Sequence, residues 1–275
     1  MNPEYITVRI PCLDEQKEIL CAELNALGSE GVWDKGTEVE AYFPKEGWDQ
    51  KQLYETLSNY GLENSFHVAI LEDKNWNEEW ESGFDPIRID DEVLIRATFH
   101  EQERGFKYEL VIDPRMSFGT GHHATTRLMI DMMLTMDLSG KKVLDMGSGT
   151  GVLSFLAAQM GAAEVVGVEL DSNSVDNARD NAKYNPSEGV SFFEGSHEAI
   201  PDTQFDVILS NITRNINRTL LPHLMEKLLT NGYLVMAGFL NFDLEEMVRL
   251  CAEHGARLIR NKSLDDWEVI IVEKR

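Results

Sequence analysis

From position 143 the chain reads Val143-Leu144-Asp145-Met146-Gly147-Ser148-Gly149-Thr150-Gly151, an apolar run that gives way to three alternating glycines. Glycine lets a backbone turn tightly and approach a ligand closely, and a helix that starts just after the turn offers unpaired N–H groups. A second apolar run, Val165-Val166-Gly167-Val168, ends in Glu169, 22 positions after Gly147. A carboxylate at that place can take both hydroxyls of a ribose. A strand, a glycine turn, a helix and a strand-ending acid together make a seat for a nucleoside-containing ligand at the carboxyl ends of parallel strands. The spacing narrows the choice. A dinucleotide fingerprint G-x-G-x-x-G begun at Gly147 requires Gly or Ala at position 152, which is Val152. The pattern present is G-x-G-x-G, which gives no clear seat for a pyrophosphate.

Further groups could share that site. Asn211 follows the apolar strand 205–209, with Ser210 between, and is aimed at the same end of the sheet. Upstream, Phe118-Gly119-Thr120-Gly121-His122-His123-Ala124-Thr125-Thr126 precedes a predicted helix over 128–134. Its glycines and hydroxyls suit a loop that wraps a polar ligand, and equally an N-cap with its lead-in. His122 or His123 could act as a general base, although the residue types single out no dedicated one. Metal chemistry is not expected: His122 and His123 are adjacent and point apart, and His197-Glu198 lacks the second histidine of H-E-x-x-H. No G-x-S-x-G occurs, so a nucleophilic serine is equally unsupported.

These residues need a framework. From residue 141 onward, strand and helix patterns alternate: strands at 142–146, 164–170, 190–193, 205–210, 233–237, 257–260 and 268–272, with helices at 152–160, 174–184, 214–229 and 244–254. Such alternation predicts a mostly parallel sheet with helices on both faces. Residues 87–97 and 108–112 read as two strands ahead of it. The segment 1–72 reads differently, as β-α-β-β-α-β with strands at 5–10, 31–33, 37–43 and 66–71 and helices at 13–27 and 48–60. That is the split βαβ order of ferredoxin-like modules. Helix 13–27 is expected to bury Ile19, Leu20, Ala22, Leu24 and Leu27. Between the two parts, 73–84 is expected to be a linker helix whose Trp76 and Trp80, four apart, share one face. The domains expected are therefore 1–72, the linker 73–84, and 85–275.

The chain of 275 residues carries 25 basic and 48 acidic side chains, a net charge of −23. Naked nucleic acid is a poor partner for such a surface, whereas a cationic partner would be steered toward it. No apolar run approaches the roughly 18 residues of a membrane span, and the three cysteines, Cys12, Cys21 and Cys251, form no CxxC. Free thiols in a reducing, cytoplasmic compartment are expected.

The G-x-G-x-G turn resembles the first motif of Rossmann-like methyltransferases. Enzymes of that fold that methylate planar amide or base nitrogens commonly carry Asn/Asp-Pro-Pro-aromatic where this chain has Ser210-Asn211-Ile212-Thr213, which argues against a nucleic-acid base as target. The glycine turn taken with Phe118 to Gly121, Thr125-Thr126, the acids Glu169 and Asp171, Asn211-Ile212, and Asn75-Trp76 with Trp80 and Pro86-Ile87-Arg88 resembles, over essentially the whole chain, the PrmA family, methyltransferases that modify large-subunit ribosomal protein eleven. The chain departs from that family's usual residues at four positions: His122 stands for Thr, Ala124 for Pro, Ser148 for Cys and Glu169 for Asp. The last exchange keeps the ribose-binding carboxylate.

The resemblance implies an α/β fold: a Rossmann-like S-adenosylmethionine-dependent methyltransferase domain preceded by a small ferredoxin-like α+β domain that grips the substrate protein. It implies that Thr126, Gly147, Gly149, Glu169 and Asn211 contact S-adenosylmethionine, with Phe118, Gly119 and Thr120 closing over it. It also implies transfer to lysine ε-amines and an N-terminal α-amine of ribosomal protein eleven. Two rivals stand beside this reading: a methyltransferase of the same fold acting on another protein or a small molecule, and a non-catalytic binding protein that retained the fold.

Overall fold

The computed structural model describes residues 5–46, 48–70, 85–113 and 122–275. The chain divides into two units, Met1–Gly83 and Phe84–Arg275. The expected linker helix with Trp76 and Trp80, and the loop residues Phe118, Gly119 and Thr120, lie outside the described residues.

In the first unit, β1 (Tyr5–Pro11), α1 (Asp14–Ala26), β2 (Gly31–Asp34), β3 (Glu38–Pro44), α2 (Gln50–Ser58) and β4 (His67–Ile70) follow in order. Their antiparallel sheet runs β2-β3-β1-β4, a ferredoxin-like arrangement. Alternation decides which face is covered: Ile6, Val8 and Ile10 of β1 and Val39, Ala41 and Phe43 of β3 are buried with Leu20, Leu24, Leu53 and Leu57 of the helices. Ile19 and Ala22, both expected on the apolar side of α1, are instead exposed, Ile19 by 45%. Leu20 and Leu24, one helical turn apart, already fill the space against the sheet.

The second unit opens with a small sheet of β5 (Ile87–Ile89), β6 (Val93–Arg96) and β7 (Tyr108–Val111), ordered β5-β6-β7. The continuous strand expected over 87–97 is thus two strands. Asp90 takes φ +48° in the turn between them, and β5 folds back antiparallel on β6. Next come α3 (Ala124–Met133), β8 (Lys142–Met146), α4 (Val152–Gln159), β9 (Glu164–Glu169), α5 (Ser172–Asn181), β10 (Val190–Glu194) and β11 (Phe205–Asn211). The series ends with α6 (Arg214–Lys227), β12 (Leu228–Leu240), α7 (Leu244–Glu253), β13 (Ala256–Leu264) and β14 (Trp267–Lys274).

Seven of these strands form one sheet, β10-β9-β8-β11-β12-β14-β13. All neighbours are parallel except β14, which runs antiparallel to both β12 and β13. Because side chains alternate along a strand, the sheet feeds two cores. Val143, Val165, Val207, Leu209 and Val235 point to one face with Leu128, Met129, Phe155, Leu156, Val175 and Ala178 of α3, α4 and α5. Leu144, Val166, Ile208, Leu234 and Met236 point to the other with Leu220, Leu221, Leu224, Met247 and Cys251 of α6 and α7. The chain leaves β8 toward β9 on one side and returns to β11 on the other. This is a topological switch, and ligands of open α/β sheets bind outside the strand ends at such a point.

Candidate active site

The glycine turn leaves β8 at that switch. The N–H groups of Gly147 and Ser148 both donate to the Val168 carbonyl, at 2.8 and 3.2 Å, which pins the turn to the end of β9. Gly147 has φ +77°, and a Cβ built on it would lie 2.2 Å from Cγ2 of Ile212. Across the loop, Gly238 interrupts the pairing of β12 with φ +89°, and a Cβ there would lie 1.9 Å from the Ile212 carbonyl oxygen. The chain leaving β11 therefore passes between two glycines, and only bare backbone on both sides lets Asn211 and Ile212 reach their places. Underneath, the buried side chain of Asn217 on α6 closes a polar knot. Its Oδ1 accepts from the Ser210 hydroxyl at 2.7 Å, and its Nδ2 donates to the carbonyls of Ile212 (2.9 Å) and Ala237 (2.8 Å).

At the end of β9, Glu169 folds its carboxylate back on the turn. One oxygen accepts from the Gly149 N–H at 3.0 Å, the other from those of Leu170 (2.8 Å) and Asp171 (3.0 Å). Asp171 caps α5, and the Ser174 hydroxyl and N–H hold its carboxyl below the ordinary range. Asp145, the residue two before Gly147, is buried and accepts from the Ser154 hydroxyl at 2.6 Å through Oδ2. Its Oδ1 and the Ser148 hydroxyl have no hydrogen-bond partner among the described residues. Burial pushes the Asp145 carboxyl up to about 7; the Ser154 hydroxyl works against the rise and the charge of Glu169 adds to it.

Around these groups opens a cleft of about 500 Å³, walled by Gly147, Gly149, Glu169, Asp171, Asn211 and Ile212, with Thr213, Ile216, Gly238, Trp267, His123, Thr125 and Ser174 completing it. That volume falls within the roughly 300–1,000 Å³ of small-molecule sites. The described lining holds two carboxylates and neither Lys nor Arg. A phosphate would be repelled there, and a ligand with a sugar diol and a positive charge would be favoured.

Of the residues singled out in the sequence, Gly147, Gly149, Glu169 and Asn211 border this cleft. Thr126 sits one layer behind, fully buried, where its hydroxyl accepts from Asn211 Nδ2 at 3.4 Å; Thr125 faces the cleft instead. His123 caps α3: its Nδ1 accepts from the Thr125 N–H, so that lone pair is spent on the helix. His122 Nε2 lies 3.1 Å from the Asp85 carbonyl, an oxygen that can only accept, so the ring donates there. These contacts give both histidines structural work. Neither group of three or more metal-binding side chains nor a helix long and apolar enough to cross a membrane occurs among the described residues.

Sequence reasoning did not find Trp267, Ile216 and Gly238. Trp267 reaches the cleft from β14, more than 50 residues beyond Asn211, and stands edge-on to the His123 ring at 4.8 Å between centroids. Periodicity carries no trace of such a meeting. Gly238 did leave a signal, an isolated glycine inside an apolar strand, which marks a bulge or a close backbone approach.

The family described as Ribosomal protein L11 methyltransferase (PrmA) matches residues 4–275. The ribosomal protein L11 methyltransferase of Porphyromonas gingivalis is 36% identical over 263 residues, covering 94% of this chain and 91% of that protein. Its namesake from Phocaeicola vulgatus is 33% identical over 265 residues, with 94% of each chain covered. Among solved structures, a ribosomal protein L11 methylase from Lactobacillus delbrueckii subsp. bulgaricus matches with a TM-score of 0.65 at 24% identity, over 70% of this chain and all of that one, a likeness of fold.

Proposed function

Because the chain belongs to the ribosomal protein L11 methyltransferase family, we propose that its substrate is ribosomal protein L11, methylated on amines of lysine side chains and of the N-terminus. The donor is S-adenosylmethionine. The observation that carries the reading is the character of the cleft: a glycine turn and a strand-ending acid at the switch point, with carboxylates and no Lys or Arg in the described wall. When bound, S-adenosylmethionine supplies a methyl group on a positively charged sulfur, which a neutral amine displaces in line.

The chain's own residues do the rest by placement. Glu169 holds the ribose hydroxyls, and the glycine turn brings backbone close to the ligand. Asn211, steadied by Thr126 and by the Asn217 knot, presents a side-chain amide at the end of β11. Ile212, Ile216 and Trp267 give the neighbouring wall apolar surface. Such a wall excludes water and disfavours the charged form of an incoming lysine, lowering its pKa from about 10.4. With His123 engaged as a helix cap, the economical route is release of the lysine proton to solvent as the amine leaves water, followed by alignment of the neutral amine. The ferredoxin-like unit serves as the grip on the substrate protein, and the net charge of −23 suits a basic partner.

The test is calorimetric titration of S-adenosylmethionine into wild type and Glu169→Ala, followed by mass spectrometry of purified L11 incubated with each. Binding in the wild type, weakened at least about tenfold in the variant, with mass gains of whole methyl groups on L11, supports the proposal. Binding without a mass gain moves the substrate to another protein or a small molecule. Absence of binding refutes the cofactor reading.

A further inference from the structure

Three asparagines stand four apart on and just beyond α5, Asn177, Asn181 and Asn185, and all three are buried. Asparagine is a poor helix former, and a buried amide without partners is costly, so three in a row require an account. Their partners supply it. Asn185 Oδ1 accepts from the Val111 N–H at 2.9 Å, and its Nδ2 donates to the carbonyls of Val111 (2.7 Å) and Asn181 (2.8 Å). Asn181 Oδ1 accepts from the Asp113 N–H at 3.0 Å. Asn177 Nδ2 donates to the Asp113 carbonyl at 3.1 Å, and Gln159 of α4 donates to the Glu109 carbonyl at 2.6 Å.

Residues 109, 111 and 113 are those whose backbone groups face away from β6. The edge that another strand would cover is thus closed by side-chain amides. One of the amides does more. Asn181 Nδ2 also donates to the Thr150 carbonyl at 3.1 Å and to Asn177 Oδ1 at 3.2 Å. Thr150 lies inside the glycine turn. Its carbonyl and the Gly151 N–H share one rigid peptide plane, so holding the carbonyl also sets the N–H, which donates to the Ser148 carbonyl at 2.8 Å.

We propose that Asn181 is a positioning residue for the cofactor cleft: by joining Asp113 to Thr150 it fixes the glycine turn that Glu169 and the ligand share. Asn185 is its built-in control. It binds Val111 of β7 through both Oδ1 and Nδ2 and does not touch the turn. The inference rests on the cleft being the S-adenosylmethionine site, and the experiment separates the two.

Asn181→Asp and Asn185→Asp each keep the accepting oxygen and lose two donated bonds, turning an oxygen toward carbonyls instead. Both are expected to lower Tm by similar amounts. Asn181→Asp raises the Kd and KM for S-adenosylmethionine about tenfold, the value of the lost donors, with kcat at saturation little changed; Asn185→Asp stays within about twofold of wild type. In ligand-free protein, hydrogen exchange at 147–151 speeds up in Asn181→Asp alone. Asn181→Ala, which removes the donors without adding charge, provides the same comparison if the aspartate does not fold. Equal effects of the two positions on Kd and on exchange of the turn, or an unchanged Kd and turn in the Asn181 variants, overturn the proposal. Failure of wild type to bind the cofactor would overturn the cofactor reading, and the exchange arm would still decide the role of Asn181 in the turn.

Discussion

Replacing Asp145 by asparagine tests how the ground beneath the glycine turn is built. The wild-type carboxyl is buried, with one oxygen bonded to Ser154 and the other without a partner among the described residues. Its pKa is raised by burial from 3.8 to about 7. In the unfolded chain it ionises near the ordinary value. Below about pH 4 both states hold the proton and the folded state suffers no penalty. From about pH 4 to about pH 7 only the unfolded state releases it, so folding loses about 1.4 kcal/mol per pH unit from this group. Above about pH 7 both states are ionised and the loss levels off at about 4 kcal/mol. Asparagine has no such titration. The stability of Asp145→Asn relative to wild type is therefore expected to climb with pH across that window, whatever constant cost comes from placing an NH₂ where an oxygen had been. Because the chain has two units, the quantity to follow is hydrogen exchange in peptides of β8 and α4, corrected for intrinsic rates, between about pH 5 and 8. A difference that stays flat over this range would mean that Asp145 is already ionised in the folded protein, and that burial does not govern its state.

Two further outcomes follow from the same neighbourhood, and one from the opposite face of the sheet. Gly147→Ala collides with the Ile212 side chain whereas Gly238→Ala collides with the Ile212 backbone. Adding Ile212→Ala should restore part of the Tm lost in the first and little of that lost in the second, leaving about 1 kcal/mol of left-handed strain at position 147. Burial pushes the Cys251 thiol up to about 11, so an alkylating reagent at neutral pH should modify Cys12 and Cys21, which are partly exposed, and reach Cys251 only in denaturant, as peptide mass spectrometry would record. Asn217→Ala removes all three bonds of the buried knot and should cost about 2–4 kcal/mol of stability, with a loss in thermal unfolding larger than that of the exposed Asn215→Ala.

The alternating architecture was legible because each element announces itself locally. Val143 to Gly151 and Val165 to Glu169 carry both their strand pattern and their stop signals within a few residues. The break at Asp90 was not, since an aspartate in a left-handed turn leaves the apolar alternation on either side intact. The helix expected from 128 begins at Ala124 because His123 caps it, and histidine is an unusual N-cap. At the site, residues bound to the glycine turn by short-range geometry could be named. Trp267, Gln159 and the asparagine row could not, because their significance lies in pairings across tens of residues. Thr126 shows the intermediate case: its position in a motif marks it as part of the site, while only the fold tells that its hydroxyl holds Asn211 from behind.

Strand β14 is the last of the seven to be synthesised, yet it occupies an inner position between β12 and β13. It also brings Trp267 to the cleft. A nascent chain that has emerged as far as β13 holds every glycine and acid of the cleft wall, but β13 has no strand to pair with and the cleft lacks its Trp267 side. Such a chain exposes the edges of β12 and β13 together. Assembly order thus places completion of the cleft after every one of its glycines and acids has been made, because the wall that carries Trp267 waits for β14 to enter the sheet.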